Sequence, residues 1–131
     1  MFDSKQIFSI QSEEDFQNVA LEVFRYQAQE NEVYKNFLKF LKIDYSTVKH
    51  TNEIPFLPIQ FFKKFELISG NREVEKVFTS SGTTGMATSK HLVTDLALYH
   101  YSLEKCFEQF YGPLSDYTIF ALLPSYLERT G

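Results

Sequence analysis

Six small residues in a row, Ser80, Ser81, Gly82, Thr83, Thr84 and Gly85, are the part of this sequence best suited to chemistry. Such a run can expose successive backbone amides as a concave nest, and converging N–H donors suit an anion, above all phosphate. Gly82 and Gly85 allow positive dihedrals or a close approach that a side chain would forbid, and the four hydroxyls add donors at the rim. The run is not the common P-loop, which ends in Gly-Lys-Ser/Thr at a helix start; here Gly85 is followed by Met86. Nor is it the Gly-x-Gly-x-x-Gly dinucleotide fingerprint. From the residues alone, a phosphate cradle and a plain surface turn both remain open.

The other reactive side chains point less clearly to a site. Cys106 is the single cysteine, so it has no internal disulfide partner, and no Cys or His stands near it at metal-ligand spacing. It falls on the apolar stripe of a helical segment, which reads as core filling. His50, His91 and His100 are spread over three different segments and read as surface or structural residues.

The loop must be carried by something. "VEKVFTS" before it alternates as a strand does, and Lys90–Thr94 after it forms a second strand, giving strand, loop, strand. Upstream, Ser12 followed by Glu13, Glu14 and Asp15 marks a helix start, with a capping hydroxyl and acids at the positive end of the dipole. Phe16, Val19, Ala20, Val23 and Phe24 then recur at helical spacing, and Glu32–Leu41 repeats the pattern, so a helical hairpin is expected. Pro55 and Pro58 break the next stretch into a connector, whose apolar residues from Ile54 to Phe65 are expected to pack down. "SGNRE" reads as a turn. Beyond the second strand, Asp95 caps a helix with Leu96, Tyr99, Leu103, Cys106, Phe107 and Phe110 inward, closed by Gly112 and Pro113. "YTIFALLP" reads as a strand buried on both faces. Such a strand needs neighbours, and their absence from the sequence suggests the N-terminal piece of a longer protein.

Composition narrows the class. A chain of 131 residues with 44% hydrophobic and 23% charged residues is an ordinary water-soluble domain in size and balance. No run is apolar for long enough to span a bilayer, and the N-terminus has no secretory pattern, so a cytoplasmic protein is expected. A net charge of −4 without a basic stripe argues against nucleic acid. Fourteen Phe and eight Tyr, with no Trp, are first of all core material.

Phe78-Thr79-Ser80-Ser81-Gly82-Thr83-Thr84-Gly85 resembles the phosphate-binding signature of the adenylate-forming superfamily, which includes acyl-CoA synthetases and nonribosomal adenylation domains. "IPFLPIQFFKKFEL" is similar to the lead-in of the phenylacetate-CoA ligase branch, and particularly of bacterial acyl-protein synthetases of the luminescence type. The resemblance implies an α/β fold: residues 1–68 as a helical segment with its Pro-rich connector, and 69–131 as the start of the adenylation core, about the N-terminal third of the enzyme. It implies ATP and Mg²⁺ as cofactors, a carboxylic (fatty) acid as substrate and a thiol on protein or CoA as acceptor. Ser80–Gly85 would hold the ATP phosphates, and Tyr126 would border the acyl pocket unless it lies on a plain surface loop. The catalytic residues fall outside the matching stretch, so the 131-residue chain by itself is expected to be inactive. Relatives often continue with Pro-Lys-Gly after the loop; Met86-Ala87-Thr88-Ser89 before Lys90 departs from that, which puts a phosphate contact by Lys90 in doubt and favours the acyl-protein synthetases. An aryl-CoA ligase and a non-catalytic interaction module are the rival readings.

Overall fold

The computed structural model describes residues 3–80 and 88–122. By compactness the chain divides into Met1–Tyr99 and His100–Gly131.

The first unit is built on a helical hairpin. Helix α1, Glu13–Glu30, begins at a reciprocal cap: the Ser12 hydroxyl accepts from the Asp15 amide at 3.1 Å, and the Asp15 carboxylate accepts from the Ser12 amide at 3.0 Å. Helix α2, Glu32–Phe40, follows after a single residue. That residue, Asn31, makes the corner. Its amide donates to the Gln27 carbonyl at 2.9 Å, closing α1, while its side-chain oxygen accepts from the Tyr34 amide at 3.0 Å, opening α2. Lys42, at φ 57°, then ends α2, with the Ile43 amide donating back to the Leu38 carbonyl at 3.0 Å.

Leu21, Phe24 and Ala28 of α1 meet Tyr34 and Leu38 of α2 and Val48 beyond it in a small buried core. Ile54 and Leu57 of the connector pack against that core, and the Tyr34 hydroxyl fastens the connector by donating to the Pro55 carbonyl at 2.8 Å. Burial pushes the Tyr34 hydroxyl up to about 12. Aromatic contact continues outward from Tyr34 through Phe37 to Phe61 in the short helix α3, Phe61–Lys64. The expectation that the whole connector packs down is only partly met. Phe56 and Ile59 are 79% and 74% exposed while Ile54 and Leu57 pack on the core, so the proline-broken stretch turns only one side of itself inward.

Strands β1, Lys76–Thr79, and β2, Lys90–Val93, pair antiparallel with Lys76 opposite Val93 and Thr79 opposite Lys90. With the helices they make a helix-rich α/β arrangement. The turn before β1 contains Gly70 at φ 74°, whose amide donates to the Glu30 carbonyl at 2.8 Å, so the end of α1 and the approach to β1 are tied together.

Helix α4, Leu96–Tyr111, starts at Asp95, whose carboxylate accepts from the Leu98 amide at 2.8 Å, and ends at Gly112 with φ 86°. Its expected inward face is only partly covered: Leu96, Tyr99 and Phe107 are half-buried, while Leu103 is 52% and Phe110 73% exposed, and Cys106 is exposed as well. Periodicity shows which residues share a face but does not supply anything to cover it. The expected buried strand from Tyr117 is likewise absent over 117–122. These residues form no strand, and Phe120 and Leu122 lie open to solvent, since no strand among the described residues pairs with them.

Candidate functional site

The two short strands present the small-residue loop, and hydrogen bonds close its base. The Ser80 amide donates to the Ser89 carbonyl, and the Ser89 amide donates to the Ser80 hydroxyl, both at 3.1 Å. One backbone bond and one side-chain bond thus join the residues just beyond the Thr79 and Lys90 pair. Of the six expected phosphate-binding residues, Ser80 stands at this base, and Ser81, Gly82, Thr83, Thr84 and Gly85 lie outside the described residues, as does Tyr126. Lys90 is exposed and pairs with Thr79 at the end of the ladder nearest the small residues. Hydroxyl and amine side chains are groups that suit a phosphate.

Three attachments hold the hairpin. Phe78 stacks on Tyr99 with ring centroids 5.0 Å apart, fixing β1 against the first turn of α4. The Glu75 carboxylate accepts from the Leu96 amide at 3.0 Å, and the Glu75 amide donates to the Val93 carbonyl at 2.9 Å, so one residue joins β1, β2 and the helix start. His91 stacks on Phe62 of α3 at 5.3 Å and 15°, binding β2 to the connector. Residues opposite one another in an antiparallel pair share a face, so Phe78 and His91 carry both ring contacts on one side of the hairpin. Arg72, in the turn before β1, reaches the Asp95 carboxylate at 3.7 Å. His91, read from sequence as a surface or structural residue, is exposed, and its ring packs on Phe62. The stacking partners and the bond from Glu75 could not be found from sequence, because each joins segments far apart in the chain.

Beside the hairpin, within the same unit, lies an open cleft of about 620 Å³. Val19, Ala20 and Val23 of α1 form one wall, Ile54 and Leu57 of the connector another, and His91 lines it from β2. Sequence reading assigned these α1 residues to one apolar face but did not show that part of that face borders open space. A second groove of about 550 Å³ is different in character, with Glu22, Arg25, Glu30 and Arg72 on its walls.

A family model described as "Acyl-protein synthetase, LuxE" matches residues 2–101, a stretch that runs from the N-terminus through the helical hairpin, the connector and β2 into α4. The chain belongs to the acyl-protein synthetase family. It is also similar to a protein from Photorhabdus luminescens named "Long-chain-fatty-acid--luciferin-component ligase", at 32% identity over 69 residues. That alignment covers 52% of this chain and 59% of the relative, so the chain spans somewhat over half the length of the curated protein it matches. No solved structure matches. The family assignment bears out the acyl-protein synthetase resemblance. No helix among the described residues is long and apolar enough to cross a membrane.

Proposed function

We propose that this chain is the N-terminal part of an ATP-dependent acyl-activating enzyme that forms an acyl-adenylate from a fatty acid and passes the acyl group to a thiol. The observation that carries the reading is a loop of hydroxyls and glycines held between paired, anchored strands in a chain of the acyl-protein synthetase family. The fatty acid is taken from the name of the relative, which joins a long-chain fatty acid to a luciferin component.

In this account Ser80–Gly85 would hold the ATP phosphates, with their hydroxyls and backbone amides as donors, and a bound Mg²⁺ would supply further positive charge for the leaving pyrophosphate. A carboxylate oxygen of the fatty acid bonds to the α-phosphorus, the α–β anhydride bond breaks, and pyrophosphate leaves with the electron pair. A thiolate then attacks the acyl carbon and AMP departs. The hairpin contributes position: Ser80 and Ser89 are bonded at its base, and Phe78, Glu75 and His91 attach its strands to their neighbours. Exchange of labelled pyrophosphate into ATP by the whole enzyme tests this. Exchange that depends on a long-chain fatty acid is the expected result; exchange with arylacetate alone would favour the aryl-CoA ligase, and no exchange with either would remove the reading.

A further inference from the structure

Charge is distributed unevenly along this chain. Residues 35–65 hold six lysines, Lys35, Lys39, Lys42, Lys49, Lys63 and Lys64, against two acids, Asp44 and Glu53, a net charge of +4 in a chain whose total is −4. The remaining residues therefore carry −8. Lys39, Lys42, Lys63 and Lys64 are exposed, and among the described residues none of the four forms an ion pair.

These lysines alternate with uncovered rings. Helix α2 ends in Lys39-Phe40-Leu41-Lys42, where Lys42 at φ 57° turns the chain and Phe40 is 84% exposed. Val33, Phe37 and Phe40 recur at steps of four and three residues, so they share one flank of α2. Phe37 packs edge-on against Phe61 of α3 at 5.9 Å, and Phe61 lies 5.0 Å from Phe65, which is 44% exposed. An apolar strip thus runs from the end of α2 across to α3, with Lys63 and Lys64 between the last two rings in the chain. Phe40, Phe61 and Phe65 line neither the 620 Å³ cleft nor the 550 Å³ groove, so the strip is not recessed in either.

We propose that this strip is a peripheral docking surface for an anionic lipid bilayer, with Phe40 entering the headgroup layer and the four lysines meeting the lipid phosphates. It does not depend on the acyl-activating reading. The lysines alone would suit any acidic surface; the projecting ring favours lipid, because a bilayer takes in an aromatic side chain without a recess shaped for it, while the lysine stems lie along the apolar layer and their ammonium groups reach the headgroups. The excess of acids elsewhere in the chain turns the rest of the surface away from the same bilayer, so the charge asymmetry sets the orientation.

Flotation of the full-length enzyme with vesicles of phosphatidylcholine, alone or mixed with phosphatidylglycerol, is the test. Binding to the mixed vesicles only, weakened by added salt, is the expected result. Joint Lys63→Gln and Lys64→Gln should weaken it about fivefold for each charge removed, whereas joint Lys5→Gln and Lys76→Gln should leave it unchanged. Phe40→Ser, at an exposed position, should weaken it about tenfold. Phe40→Trp gives a reading that needs no loss of binding: the tryptophan emission, taken as the difference from the unaltered protein, should move to shorter wavelength when mixed vesicles are added. Failure to float, equal binding to both vesicles, equal losses in the two lysine pairs, or an unmoved emission overturns the proposal. Sensitivity to the lysines with none to Phe40→Ser would assign the surface to an acidic protein and reject the bilayer.

Discussion

Asn31 joins the helical hairpin to the turn before the hairpin of strands, and replacing it should have a graded effect. Its side-chain oxygen caps α2 through the Tyr34 amide at 3.0 Å, and its side-chain nitrogen donates to the Ser69 hydroxyl at 3.4 Å. The residue is 9% exposed, so water does not readily replace either partner. In Asn31→Ala the lost cap costs about 1 kcal/mol. Leaving the Tyr34 amide without an acceptor in a buried setting brings the total toward about 2 kcal/mol. Asn31→Ser keeps a capping oxygen and loses only the long bond to Ser69, so its cost should stay near about 0.5 kcal/mol. Urea unfolding followed by helical circular dichroism measures both, with an unchanged slope in urea showing that stability alone has moved. Equal losses in the two variants, or a loss below about 0.5 kcal/mol in Asn31→Ala, would refute the capping account.

Acid should weaken the same helical unit. The Asp15 carboxylate is held below its ordinary value by the Ser12 cap and backbone amides, that of Asp44 by Ser46, and that of Glu53 by the Lys49 and His50 amides. A depressed folded value means that the contribution is complete above the ordinary range and is lost as pH falls through the folded value. Melting temperature should therefore drop as pH falls below about 4, and Asp15→Asn should be less sensitive there; an equally steep drop in the variant would count against the assignment. The stacked pair Phe78 and Tyr99 should show a coupling of about 0.5 to 1.5 kcal/mol in a double-mutant cycle, and additive single effects would mean that the rings do not hold β1 to α4.

Local signals in the sequence carried much of this fold. Ser12 with its acids, the three and four residue spacing from Phe16, and the glycine and proline after Tyr111 each place an element end through bonds made within a few residues. The spacing Ser12-x-x-Asp15 also held the reciprocal cap, although its acid was read only as a dipole partner. Burial was less legible. Cys106, Phe110 and Phe120 look like core in a pattern of apolar residues, yet whether such a face is covered depends on segments elsewhere, and the structure leaves these three exposed. The site divides in the same way. The strands beside the loop could be read from alternation, while the stacks of Phe62 on His91 and Phe78 on Tyr99, the bond from Glu75 and the apolar cleft arise only when distant segments meet.

The central claim is that Ser80–Gly85 bind the phosphates of ATP, and measuring the two half-reactions separately in Gly82→Ala and Thr83→Ala tests it most directly. A methyl at Gly82 should crowd the phosphates, and loss of the Thr83 hydroxyl should remove one hydrogen bond to a charged group, worth about 1.5 to 3 kcal/mol. The latter corresponds to a slowing of adenylation by roughly tenfold to a hundredfold. Transfer from supplied acyl-adenylate to the thiol should change much less, because pyrophosphate has left by then. Slow adenylation with near-normal transfer in both variants is the predicted result. Normal adenylation in both would contradict the claim and return this stretch to a turn between two strands.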